Sequence, residues 1–168
     1  MKEVYLHAAL FDGTRDAGWQ PDTAVYVDGE TITAVESAAA PRRPGYTEVD
    51  LTGRYLMPGL INMHAHLFGS GKPSKVLGGG GAQKRVLAFI NSPLGRPVTD
   101  SLVAKNAMTA LLSGTTTVRA VGDFCYSDVR VRDRIRAGKR AGPRLLVSGP
   151  AITAVGGHGD GTFAVSSA

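Results

Sequence analysis

The sequence predicts an α/β protein: a β-rich first third, then strands that alternate with helices. Three observations predict it. Residues 1–57 carry short β-type runs separated by tight turn signals. From residue 58 onward, the apolar or β-branched runs Leu60–Met63, Thr115–Ala120 and Arg144–Ser148 are separated by helical stretches, the alternation expected of parallel strands with crossovers. Glycine is frequent, 22 of 168 residues, which suits many turns and loops.

In the first third, Val4–Leu10 reads as a strand closed by Phe11-Asp12-Gly13-Thr14. Ala24–Val27 alternates and runs into Asp28-Gly29, a hairpin signal, with Thr31–Val35 as the return strand. Pro41–Gly45 is a loop, and Glu48–Leu51 with Arg54–Met57 completes the segment. Trp19 reads as a packing residue or a loop anchor. The expected division is a small β-rich domain at 1–57 followed by an α/β domain at 58–168.

Residues 67–98 read as a long loop containing the glycine run Gly78–Gly81. Thr99 or Asp100 is placed to cap a helix running to Ser113, with Val103, Ala107, Ala110 and Leu111 as its apolar face and Gly114 as its stop. The strand Thr115–Ala120 follows. Ser127 or Asp128 is placed to cap a second helix that ends before Gly138. A third strand, Arg144–Ser148, leads into the glycine-rich run Gly149–Gly161.

The stretch Pro58-Gly59-Leu60-Ile61-Asn62-Met63-His64-Ala65-His66 carries the chemistry. It reads as a buried strand ending in two histidines. Residues i and i+2 of a strand share a face, so both imidazoles would project to one side, which suits two nitrogen ligands of one metal ion. Two histidines at this spacing also occur as hydrogen-bonded loop residues.

This stretch resembles, residue for residue, the first barrel strand of the amidohydrolase superfamily, metal-dependent hydrolases with Pro-Gly, two hydrophobic residues, Asp or Asn, and His-x-His. The later runs Gly-Thr-Thr-Thr-Val-Arg, Ala-Gly-Pro-Arg-Leu-Leu-Val-Ser-Gly and Gly-Gly-His-Gly-Asp are similar to the branch holding imidazolonepropionase-like enzymes and prolidase-like dipeptidases. The resemblance covers most of residues 47–162. It implies a (β/α)8 barrel of the TIM type after a small sandwich-like domain, with one or two divalent metal ions, usually Zn2+. It also implies hydrolysis of an amide, peptide or cyclic amide C–N bond by a metal-activated hydroxide. His64 and His66 fall on two ligand positions. His158, on the loop after the third strand, is a candidate substrate contact. So is Asp123, where an active-site loop begins.

Length conflicts with a closed barrel. Such a barrel takes about 250 residues. At roughly 30 residues per βα unit, the 102 residues after His66 hold about three units of eight. The expectation is an incomplete (β/α)8 barrel, inactive alone, that associates with itself or with a complementary C-terminal half. A non-catalytic oligomeric scaffold derived from the fold is the alternative.

Composition excludes other classes. Cys125 is the single cysteine, so no internal disulfide forms. No apolar stretch approaches the ~18 residues of a membrane span, and the N-terminal apolar run is too short for a signal peptide. A cytoplasmic protein without membrane or nucleic-acid partners is expected. The net charge of +5 comes largely from Arg130, Arg132, Arg134, Arg136, Lys139 and Arg140. No aromatic residues interleave them and Asp133 interrupts them, so they read as a solvated helix face. Gly69–Ser74 fails as a phosphate loop because Pro73 follows Lys72. The expected ligand is a small molecule or a dipeptide-like substrate.

Overall fold

The computed structural model describes residues 1–14, 18–69, 71, 81–157 and 164–166, the side chains of 81–84 and 164–166 excepted. The chain divides into two compact units, Met1–Pro58 and Gly59–Ala168.

The first unit is a five-stranded sheet. Its strands are β1 (Lys2–Leu10), β2 (Gln20–Asp28), β3 (Thr31–Ser37), β4 (Thr47–Asp50) and β5 (Tyr55–Leu56), in the order β3-β2-β1-β4, with β5 also on β1. β1–β2 and β2–β3 are antiparallel, whereas β4 and β5 pair with β1 in parallel. Alternation along β1 buries Val4, Leu6, Ala8 and Leu10, and Val4 and Leu6 pack with Ala24 and Tyr26 as one core cluster. On the other face Tyr5, Val25, Val27, Ile32 and Val35 line an apolar cleft of about 280 Å³. β2 begins four residues earlier than its alternation predicts.

The second unit contains a parallel sheet of β6 (Leu60–Ala65), β7 (Thr115–Ala120) and β8 (Arg144–Val147), with β7 in the middle. A two-stranded parallel ladder follows, β9 (Ala151–Thr153) with β10 (Ala164–Ser166). The helices are α1 (Gly81–Asn91), α2 (Gly95–Leu112) and α3 (Ser127–Arg136). α2 and α3 cover one face of the sheet. Val103, Ala104 and Ala107 of α2 and Val131 of α3 pack with Val118, Ala120, Leu145 and Leu67 in one core. Among the described residues, no helix of the chain is long and apolar enough to cross a membrane.

Four sequence expectations are corrected by the structure, the first being that β6, read as a buried strand, is exposed from Leu60 to His64 because nothing among the described residues covers its helix-free face. The 67–98 segment is not all loop: α1 lies within it. α2 starts at Gly95, not at Thr99 or Asp100, and Thr99 Oγ1 bonds back to the Gly95 carbonyl at 3.1 Å. Pro97 fits in the first turn of α2, where a residue has no intrahelical N–H partner to lose. Gly95 is needed because a Cβ there would overlap the backbone of Phe89 at the end of α1. Asp100 is not a cap. It is buried and takes a bidentate ion pair from Arg130, at 2.7–3.1 Å, which ties α2 to α3. Nor do Ser127 and Asp128 cap α3. Its N-cap is Tyr126, held at φ 57° in the left-handed region, and both residues lie inside the first turn.

Candidate metal centre

His64 and His66 stand at the C-terminal end of β6. The strand register explains their direction. Asn62 pairs with Val118 and Ala65 with Ala120, so β6 takes three steps where β7 takes two, a bulge. Asn62 Oδ1 accepts the His64 backbone N–H at 3.0 Å at this slip. Ala65 packs against the helix-side core, so its neighbours His64 and His66 face the other, helix-free side. Their ring centroids are 5.4 Å apart. His64 is exposed and His66 half-buried.

His66 Nδ1 lies 2.9 Å from the Gly122 carbonyl. A carbonyl only accepts, so this bond places the proton on Nδ1 and makes Nε2 the basic nitrogen. Histidine ligands of metal ions are commonly oriented in this way. The turn after His66 is held at three points. The Leu67 N–H donates to Asp123 Oδ2 at 3.1 Å, its carbonyl accepts from Asn106 Nδ2 at 2.7 Å, and its side chain is in the core.

Asp123 is fully buried. Oδ1 makes no well-formed hydrogen bond with the described residues, while the Phe68 and Phe124 N–H groups act weakly on the carboxylate. Burial, reinforced by the nearby Asp128 carboxylate, pushes its pKa up to about 7. Gly149 links the two acids: its carbonyl accepts the Asp123 N–H at 3.2 Å, and its N–H donates to Asp128 Oδ2 at 3.0 Å. His158 lies outside the described residues.

Sequence reasoning passed over Arg119. Val118 and Ala120 face the helices, so Arg119 faces the same open side as the two histidines, on the adjacent strand and level with the bulge. The signal was available as a lone charge inside a β-branched run.

The imidazoles suit a divalent ion of borderline softness. They supply two donors, and a zinc site takes at least three protein ligands. Among the described residues no group of three His, Cys, Asp or Glu side chains is placed to hold a metal ion. The fit is that of part of a site.

The model of the amidohydrolase family matches residues 55–167, more than half of the chain. The chain belongs to the amidohydrolase family. Amidohydrolases generally bind divalent metals. Among solved structures, the chain is 31% identical to a prolidase-type protein of Bifidobacterium longum, with a TM-score of 0.70 over 98% of this chain and 34% of that one. It is 28% identical to a Xaa-Pro dipeptidase with bound methionine in the active site, with a TM-score of 0.74 over 95% and 36%. It is 25% identical to molinate hydrolase, with a TM-score of 0.68 over 88% and 30%. The chain thus spans about a third of the length of each. A search of curated protein sequences returns no match.

Proposed function

We propose that this amidohydrolase chain supplies the metal-binding opening of an enzyme that hydrolyses C–N bonds in small amides, dipeptide-like ones first. The observation that carries the reading is the pair His64 and His66 on one open strand face, with His66 oriented by the Gly122 carbonyl. In this reading β6, β7 and β8 are the first three strands of a (β/α)8 barrel over residues 58–168, and residues 1–57 form part of a sandwich. The likeness to the Xaa-Pro dipeptidase supports the substrate class.

His64 and His66 would hold the ion, zinc by preference. When bound, it would supply Lewis-acid activation of water near neutral pH. Asn62, Gly122 and Asn106 orient the strand end, and Leu67 anchors it in the core. Asp123 acts through Leu67 as a positioning residue. His158 is the proposed substrate contact. Because two imidazoles do not complete a zinc shell, the 168 residues alone bind metal weakly and turn nothing over.

The test is equilibrium dialysis of the chain against zinc, with metal analysis, beside an assay on Xaa-Pro dipeptides. Micromolar or weaker binding that disappears in the His64→Ala/His66→Ala variant, without hydrolysis, is the expected result. Zinc binding unchanged in that variant would overturn the site. Zinc-dependent turnover by the chain alone would overturn the incompleteness.

One observation favours a second reading, a self-associating scaffold. Leu60, Ile61 and Met63 on the β6 edge are 50–63% exposed. A stable oligomer that takes up no zinc would support it.

A further inference from the structure

We infer that Arg119 is an anion anchor beside the two histidines, and that it selects substrates carrying a free carboxylate next to an apolar body. The inference rests on the amidohydrolase reading of the histidine pair for its reaction, but not for its binding chemistry.

β7 is the middle strand of the parallel sheet, with β6 and β8 on either side. Arg119 is exposed on the helix-free face of this middle strand, open to a ligand. Parallel sheets are normally covered on both faces, and their rows of side chains are normally apolar. Here the row position next to the β6 bulge is a guanidinium. Its charge is permanent, and its planar fork of donors matches a carboxylate better than a lysine would.

Three arginines of this unit are held by acids, whereas Arg96, Arg136, Arg140 and Arg144, like Arg119, form no ion pair with a described residue. Arg130 and Arg134 reach Asp100, and Arg132 reaches Asp133. Arg119 makes no ion pair or hydrogen bond with any described residue.

Arg119 also lines a cleft of about 620 Å³ at the C-terminal ends of β7 and β8. That volume lies within the usual range for small-molecule sites, about 300–1,000 Å³. The cleft walls include Leu146, Pro150 and Ile152. Leu146 is level with Arg119 in the β7–β8 register, so it shares the helix-free face. One cation with apolar walls fits an N-acyl amino acid or a dipeptide: the carboxylate lies on the guanidinium and the side chain on the wall. Such a placement would leave the amide directed along the strand ends toward His64 and His66.

The experiment is an NMR titration of the 15N-labelled, EDTA-treated chain with N-acetyl-leucine and, separately, with N-acetyl-leucinamide. The two probes share the apolar body and differ in charge. The expected result is saturable shifts at the Arg119 side-chain N–H and at the Leu146 and Ser148 amides, with the carboxylate bound about tenfold more tightly than the amide, a difference of ~1.4 kcal/mol. Arg119→Gln, checked for an otherwise unchanged spectrum, should abolish that preference, and Arg119→Lys should keep part of it. Equal shifts with both probes, or a preference that survives in Arg119→Gln, would overturn the anchor. No metal is present in this measurement. The preference should therefore persist in His64→Ala/His66→Ala, and zinc uptake should persist in Arg119→Gln, so that failure of either reading is seen separately.

Discussion

Asp123 shows how far a side chain can depart from its sequence context. It follows Gly122 at the end of a strand, and such an acid reads as a turn residue or a loop ligand. The fold buries it and gives it the Leu67 N–H. The pKa of about 7 lies above the ordinary value of 3.8. In that window the folded state holds a proton that the unfolded state has released. Stability contributed by this group is therefore present at low pH and lost as pH rises from about 4 to about 7. Urea unfolding at pH 5 and pH 7.5 should show Asp123→Asn shrinking the pH dependence by about 1–3 kcal/mol, given ~1.4 kcal/mol per unit. An unchanged pH dependence would mean that the carboxylate is ionised throughout. Gly149 is constrained in a different way. Its φ is +71°, and a Cβ there would sit 2.8 Å from Tyr126 Cδ1. Gly149→Ala should cost about 1–3 kcal/mol in the same assay. His64 and His66 were legible because strand periodicity alone puts them on one face. Asp123 was not, because the turn after His66 and the backbone of Gly149, which hold it, lie far from it in sequence.

At the scale of elements, the strands of both units were largely legible, because β-branched and alternating runs report directly which residues face a core. The helices were less so. α2 was placed four residues late because Thr99 and Asp100 read as N-caps, whereas Pro97 is harmless in a first turn and Gly95 is demanded by contact with α1. α1 was missed because it follows a glycine run and packs mainly on another helix. What fixes α2 in place is burial of Val103 and the Asp100–Arg130 pair. Val103→Ala should lose about 2 kcal/mol of unfolding free energy through the cavity it leaves. Arg130→Ala should lose about 2–3 kcal/mol because it strips a buried carboxylate of its bidentate partner. Arg134→Ala should cost less than about 1 kcal/mol, since Arg134 is half-exposed and lies 3.4 Å from the same acid. Equal losses for the two arginines, read from thermal melts, would remove the special role of Arg130.

Over the whole molecule, both sheets have unfinished surfaces. The first unit leaves an apolar cleft on one face, and the parallel sheet ends at β6 and β8 with apolar side chains showing. An open parallel edge is a template for pairing. Sedimentation velocity should reveal concentration-dependent association that weakens in Ile61→Lys; a monomer at every concentration would mean that the edge is self-protected. The central claim concerns the metal, and the zinc K-edge X-ray absorption spectrum of the chain with one equivalent of zinc tests it most directly. The expected result is a shell with two imidazole nitrogens at ~2.0–2.1 Å and oxygen in the remaining positions, with the imidazole signature lost in His64→Ala/His66→Ala. A shell without imidazole, or one that is the same in the double variant, would contradict it.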